Sequence, residues 1–375
     1  MKKWFFISFL WIGSQAFAQK KLTLIIDKMP EKHEATLFVA GNFNMWNPGD
    51  TLYTFKNKNG RPVFEKSFPE GKYEFKITRG NWQTGEEHAD FSPMSNRQID
   101  LRSDTVVHIT IGAWADDRPE ESKKAMHTTT AQVSIMDTAF YMPQLNRSRR
   151  IWIYLPKDYK TSGKKYPVLY MHDGQNVFDA STSYSGEWGV DEFLDSLRNS
   201  CNKAIVVAVD NGLTKRMNEY NPWEFMNFGK GEGDAYVDFL VKTLKPYIDS
   251  NYRTLPEKNN TSIAGSSMGG LISLCAVLKY PQVYGSAGIF SPAFWTASGI
   301  DSMVIATAQK VNAKLYFYAG GQETQTMVTD MMRVEAELLK ISKAPVKQLV
   351  DPEAKHNEAA WRKHFPDFYK WIFCN

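Results

Sequence analysis

The ten residues 262–271, SIAGSSMGGL, constrain this chain more than any other stretch. An apolar run ending in Ile263-Ala264 reads as a buried strand, and Leu271 to Leu278 continues as an apolar helix pattern. Between them Gly265-Ser266-Ser267-Met268-Gly269 fits G-x-S-x-G. A strand that turns sharply into a helix through this pattern holds its central serine in a strained conformation, with the hydroxyl clear of the sheet. Glycines flank it because a Cβ at either position would clash where strand and helix cross. Ser267 is therefore the candidate nucleophile. Ser266 is off-centre, and a glycine-rich turn around an inert serine is the plain alternative.

The elbow belongs to an alternating pattern that fills residues 132–375. Two strand-like runs, 132–140 and 150–155, open it as an antiparallel edge. Apolar strand candidates follow at 166–171, 204–209, 261–264, 285–290, 315–318 and 346–350, with helical stretches such as 235–249 and 327–341 between them. Such alternation implies a mostly parallel sheet covered on both faces. Functional groups then gather at the carboxyl ends of the strands. The first run leads into His172-Asp173-Gly174-Gln175-Asn176, the fifth into Ala319-Gly320-Gly321-Gln322-Glu323, and the last through Asp351 to His356. Serine, acid, histidine is the chain order of α/β-hydrolases.

The chemistry assigns the roles. A serine hydroxyl is a poor nucleophile until a base takes its proton, and His356 supplies that base. Glu323 fixes the imidazole; it is preferred over Asp330 and Asp351 because it directly ends a strand. The backbone N–H of Met268 and one from the 172–175 turn form the oxyanion site. His172 shapes that turn, His364 falls on a C-terminal helix, and Arg216 and Glu219 are candidates for substrate contact or for a structural ion pair.

Residues 19–115 read differently. Short alternating runs (21–26, 35–39, 52–55, 63–68, 72–77, 105–111) separated by turn clusters such as Asn57-Lys58-Asn59-Gly60 indicate a small all-β sandwich. Residues 116–131 include a charged, proline-containing run and read as a solvated linker. Residues 1–18 have a basic start at Lys2-Lys3, an apolar core and Ala16-Phe17-Ala18 before Gln19, the pattern of a secretory signal peptide. No later stretch is apolar enough to span a bilayer. An exported protein, periplasmic or secreted, with no transmembrane segment is expected. The net charge of +4 over 375 residues argues against a nucleic-acid partner. Cys201, Cys275 and Cys374 are widely spaced, form neither a disulfide framework nor a zinc pattern, and are expected as buried thiols.

Two resemblances sharpen these expectations. The stretch 171–179 (MHDGQNVFD), residues 216–222, Gly265–Gly270, the Gly320–Glu323 turn and His356-Asn357-Glu358 resemble the Putative esterase family of α/β-hydrolases, which includes esterase D, enterochelin-type siderophore esterases, and feruloyl and acetylxylan esterases. The resemblance implies Ser267, Glu323 and His356 as triad, Gln175 and Met268 as oxyanion donors, and no metal or organic cofactor. Relatives often carry Asp where Glu323 stands.

In the first domain, 39–47 (VAGNFNMWN) and 71–82 (GKYEFKITRGNW) resemble starch- and glycogen-binding β-sandwich modules. That likeness implies stacking of Trp46 and Trp82 on pyranose rings, with Lys76 and Asn96 hydrogen-bonding to a glycan. Lys76 stands one residue closer to the tryptophan than in those modules, and the tryptophans could instead cap the sandwich core. The function expected is an exported serine carboxylic-ester hydrolase acting on acetyl or feruloyl esters of a polysaccharide. A siderophore trilactone esterase, an acyltransferase and a non-catalytic sugar-binding protein stay open.

Overall fold

The structure, a computed structural model, describes residues 19–30, 36–44, 46–92, 94–119, 127–183, 186–197, 201–324 and 326–374. The expected signal peptide, and residues 120–126 of the expected linker, lie outside the described residues. The chain divides into two compact units, residues 1–118 and 119–375.

The first unit is all-β. One sheet runs β3 (Lys56–Lys58), β4 (Arg61–Phe68), β1 (Lys20–Lys28), β8 (Thr105–Thr110). A second runs β2 (Phe38–Gly41), β5 (Gly71–Thr78), β7 (Arg97–Leu101), and β6 (Glu86–Glu87) pairs with β9 (Ala113–Trp114). Every second residue of β1 faces the core: Leu22, Leu24 and Ile26 are buried with Phe64, Phe75, Ile77, Leu101 and Trp114. Two strand expectations change. Residues 52–55 form a turn with a single bridge, Thr54 to Phe38, because the Asp50 side chain caps Leu52 N. Residues 97–101 are a strand although Arg, Gln and Asp break the apolar alternation; Arg97 carries its charge to buried Glu86.

The second unit is an eight-stranded sheet covered by helices, an α/β-hydrolase arrangement. Its order is β10 (Val133–Met142), β11 (Arg147–Tyr154), β13 (Ile205–Val209), β12 (Val168–His172), β14 (Thr261–Ser266), β15 (Ser286–Phe290), β16 (Lys314–Gly320), β17 (Val346–Asp351). The first two pairings are antiparallel and the rest parallel. Strands β12 to β15 are buried along their whole length, which is why their sequences run continuously apolar instead of alternating. Tyr170, Val207 and Ile263 point into one core, and Leu169, Val206 and Ala264 into the other. From β12 the chain passes to β13 on one side and β14 on the other. In open α/β sheets such a reversal is the place where ligands bind, here outside the carboxyl ends of β12 and β14.

Two expectations are corrected here. Cys201 and Cys374 are not separate thiols but a disulfide, beside an isolated β-bridge between the same two residues. A spacing of 173 residues gives no sequence sign of pairing; the C-terminal helix, Glu358–Phe373, brings them together, with Phe373 O accepting from Asn202 N. Cys275 is the buried thiol expected, and burial pushes its pKa up. The second correction concerns the linker. Asp116 pairs with Arg79 and Arg118 with buried Glu87 inside the first unit. On the other side, His127 Nδ1 meets Asp179 at 2.7 Å, Thr128 Oγ1 donates to Glu187 at 2.6 Å, and Thr130 N donates to Asp191 at 2.6 Å.

Candidate active site

Ser267 follows β14 with φ 58° and ψ −120°, a conformation that L-residues hold only when their surroundings force it. Its N–H donates to Phe290 O at 2.9 Å, and its carbonyl accepts from Ala293 N at 3.1 Å and Leu271 N at 3.1 Å. The helix Met268–Lys279 starts at the next residue. A Cβ on Gly265 would stand 2.9 Å from Gly269 C and 2.9 Å from His172 Cδ2. The second glycine requirement falls one residue later than the motif suggests. A Cβ on Gly269 meets its nearest neighbour at 3.3 Å, whereas on Gly270 it would lie 2.7 Å from Phe290 O.

On the facing lip, β12 ends in a 3-10 turn, Gly174–Asn176, that carries Gln175. Met268 and Gln175 both lie in the first turn of a helical segment, where amides have no intrahelical acceptor and are available to an anion. Thr182 Oγ1 donates to Gln175 O at 2.6 Å, and Gln175 Oε1 accepts from Asn211 N at 3.1 Å, so this turn is tied on two sides. Asp173 enters it at φ 55°. Arg216 Nε and Nη2 donate to the Asp173 carboxylate at 2.6 and 2.8 Å, and Asn211 Nδ2 at 2.7 Å. Burial pushes the Asp173 pKa up, but the guanidinium and these hydrogen bonds outweigh it and hold the carboxyl below its usual range.

Arg216 thus braces the turn that carries Gln175, from a side chain that is still a quarter exposed. Glu219, the other candidate for substrate contact, is a correction. Its side chain is 0% exposed and accepts from Arg149 at 2.7 Å and Arg147 at 2.9 Å, an internal brace that no substrate reaches. Nor do Arg216 and Glu219 pair with each other, since each has taken a different partner. His172 is buried behind the elbow, its Nδ1 3.0 Å from Tyr236 Oη. Burial lowers its pKa to about 4, so it stays neutral and shapes the turn.

The turn after β16 carries Glu323. Gly320 is needed there because a Cβ would lie 2.4 Å from Ala354 O, and Gly321 N and Gln322 N donate to Asp351 O and Ala354 O at 2.7 and 2.9 Å. That stapling aligns the two strand-end loops so that His356 Nδ1 sits 2.7 Å from Glu323 Oε2. The Glu323 side chain is 0% exposed and that of His356 is a quarter exposed. Glu323 Oε1 accepts from Gly320 N at 2.6 Å and from Ser291 Oγ at 2.6 Å. The rival acids are occupied elsewhere. Asp351 accepts from Lys363 Nζ and His364 Nε2, both at 2.7 Å, and these bonds hold its pKa far below the usual range. Asp330 lies 3.8 Å from Arg333 Nη2.

Sequence reasoning passed over Ser291, although a serine before Pro292 at the end of a strand was a signal within reach. It also missed Tyr236 and Asn211, whose roles appear only in three dimensions. In the first unit, the Trp46 and Trp82 rings are half-buried, with centroids 6.3 Å apart and planes tilted by 41°. Asn96 Nδ2 donates to Glu74 at 3.0 Å, and Lys76 acts electrostatically on Glu87. Among the described residues no cluster of His, Cys, Asp and Glu could hold a metal ion, and no helix is long and apolar enough to cross a membrane.

Known proteins bear on this arrangement. The family described as Putative esterase matches residues 142–372. The protein YbbA of Bacillus subtilis is 26% identical over 242 residues, covering 60% of this chain and 93% of YbbA. An endo-1,4-beta-xylanase/feruloyl esterase of Xylanibacter ruminicola is 25% identical over 235 residues, 61% of this chain and 30% of that protein. Among solved structures, the enterobactin esterase FES from Shigella flexneri superposes with a TM-score of 0.53 at 14% identity, covering 97% of this chain and 99% of that one; at that identity the likeness speaks for the fold. With the family model matching residues 142–372, more than half of the chain, on a fold that carries a strained serine after β14 and a histidine–glutamate pair after β16 and β17, this chain belongs to the Putative esterase family and is a carboxylic-ester hydrolase.

Proposed function

We propose that the protein is an exported serine esterase that cleaves acetyl or feruloyl esters of a polysaccharide through an acyl-enzyme. The observation that carries the serine mechanism is the His356 Nδ1–Glu323 pair, bonded at 2.7 Å and borne by the carboxyl ends of β16 and β17 in the same sheet whose β14 leads into the strained Ser267. With Nδ1–H donated to Glu323, the neutral imidazole has Nε2 free of its proton, the tautomer a base needs. His356 takes the Ser267 proton as Oγ attacks the ester carbonyl. The amides of Met268 and Gln175 receive the negative charge on oxygen, and His356 returns the proton to the leaving alcohol. Water then repeats the sequence on the acyl-serine.

Two features support export: the leader-like residues 1–18, and the Cys201–Cys374 disulfide, a bond that persists in oxidising compartments. The polysaccharide ester is favoured by the curated feruloyl esterase relative and by the glycan-module likeness of the first unit. A trilactone siderophore is the second substrate class, on the resemblance of residues 172–179. A panel of p-nitrophenyl acetate, methyl ferulate, acetylated xylan and a ferric trilactone siderophore, with and without an added sugar acceptor, tests the reading. Turnover of xylan acetate or ferulate is the expected result. Preference for the siderophore, or acyl transfer to the sugar, would replace it. Ser267→Ala and His356→Ala should each lower kcat by on the order of 10⁴–10⁶, with Ser266→Ala mild. More than a tenth of wild-type activity in Ser267→Ala would remove Ser267 as nucleophile.

A further inference from the structure

The four residues Phe290-Ser291-Pro292-Ala293, at the carboxyl end of β15, touch both halves of the site. Phe290 O accepts from Ser267 N at 2.9 Å and Ala293 N donates to Ser267 O at 3.1 Å, so the peptide units on either side of the elbow serine are bracketed by this one segment. Between these two contacts stands Ser291, fully buried, with φ 43°. Its N–H is spent on Tyr318 O at 2.6 Å. Its hydroxyl has a single proton, and Glu323 Oε1 lies 2.6 Å away as a purely accepting carboxylate. The hydroxyl oxygen in turn accepts from Trp361 Nε1 at 2.9 Å. An indole N–H can only donate, so the direction of the chain is fixed: Trp361 to Ser291 to Glu323. The Trp361 ring also stands edge-on to His356, at 87° with centroids 5.1 Å apart.

We propose that Ser291 is a positioning residue for the esterase reaction, held by Trp361, which orients the Glu323 carboxylate so that Oε2 faces His356. The inference rests on the serine–histidine–glutamate reading above. The buried carboxylate has two oxygens, and its torsion decides which one meets the imidazole. Gly320 N at 2.6 Å and Ser291 Oγ both fix Oε1, leaving Oε2 to the histidine. Trp361 Nε1 blocks the alternative in which the Ser291 hydroxyl turns away from the acid. Because the same segment grips the Ser267 backbone, nucleophile and acid are set by one rigid strand end, although 56 residues separate them in sequence.

The test is p-nitrophenyl acetate kinetics on the full chain. Ser291→Gly removes the hydroxyl and suits the positive φ, so the fold is expected to survive; Ser291→Ala and Trp361→Phe provide independent variants. Ser291→Gly should lower kcat by about tenfold or more with KM within about twofold, as expected for a lost hydrogen bond to a charged group. In a Glu323→Ala background the same change should cost less than about twofold, because the group it orients is gone. Trp361→Phe should lower kcat by a few-fold in the wild type and add nothing to Ser291→Gly. An equal loss in both backgrounds, or kcat above half of wild type in Ser291→Gly, would overturn the proposal while leaving the triad standing. If Glu323→Ala itself kept wild-type kcat, the acid assignment would fall and the positioning role with it.

Discussion

Glu323 and Asp351 end neighbouring strands, yet their carboxylates have opposite surroundings. Glu323 is sealed from water and shares its oxygens between Gly320 N, Ser291 Oγ and His356 Nδ1. Asp351 is bound to Lys363 and His364 on the C-terminal helix. Glu323→Ala should therefore lower kcat at least about 10²-fold, while Asp330→Ala and Asp351→Ala stay within about threefold, measured with p-nitrophenyl acetate. A large loss in Asp351→Ala would move the acid. His172 gives a separate, thermodynamic prediction. Its pKa of about 4 lies below the unfolded value near 6.5, so on acidification the unfolded chain binds a proton that the native state refuses. That destabilises the fold as pH falls from about 6.5 to 4, by about 2–3 kcal/mol at pH 4.5 for a group this deeply buried. Urea titrations at pH 7 and 4.5 should show the loss, and His172→Gln should reduce it; an equal loss in the variant would assign it to other groups.

At the scale of elements, loops are aligned by short staples at strand ends and not by the strands alone. Residues 127–130 illustrate this. Thr128 Oγ1 donates to buried Glu187 and accepts from Ala180 N at 3.0 Å, in the loop whose Thr182 holds Gln175 O. Burial raises the Glu187 pKa, so loss of the threonine donor leaves a poorly solvated carboxyl short of a partner. Thr128→Val should cost about 1–2 kcal/mol by urea denaturation, and Thr128→Ser should recover most of it. No change in the valine variant would mean that the segment is the solvated linker its composition suggests. That composition misled because a charged run with a proline reads as solvated until the buried acids that residues 127–130 meet are seen opposite them.

For the molecule as a whole, the Cys201–Cys374 bond ties the C-terminal helix, and Trp361 with it, to the segment preceding β13. Closing 173 residues of chain restricts the unfolded state, so the Cys201→Ser, Cys374→Ser double variant should lose about 2–4 kcal/mol. Its thermal midpoint should match that of the protein treated with dithiothreitol, and an unchanged midpoint would count against the bond. The glycan-module likeness of the first unit has its own test. If it holds glycan, it raises local ester concentration without touching the chemical step. Trp46→Ala with Trp82→Ala should then slow hydrolysis of acetylated xylan and leave p-nitrophenyl acetate unchanged. Equal loss on both substrates would give the tryptophans a structural role only.

Much of this was legible in the chain alone, for physical reasons. The eight strands of the second unit were near their places: β12 to β15, buried on both faces, require short continuous apolar runs, and the turn residues that bound them mark their ends. Ser267, Glu323 and His356 stood out because a strained turn and strand ends leave glycines and polar residues at fixed offsets. What escaped were the partnerships: Cys201 with Cys374, Glu219 with Arg147 and Arg149, Arg216 with Asp173, Ser291 with Glu323 and Trp361. Each joins residues far apart in sequence, and each residue type has many candidate partners of equal chemistry. Local pattern fixes which groups a strand delivers to the lip of the sheet. Only the packing of helices and turns above it decides which buried donor meets which acceptor, because that choice depends on distances of a few tenths of an ångström that no spacing encodes.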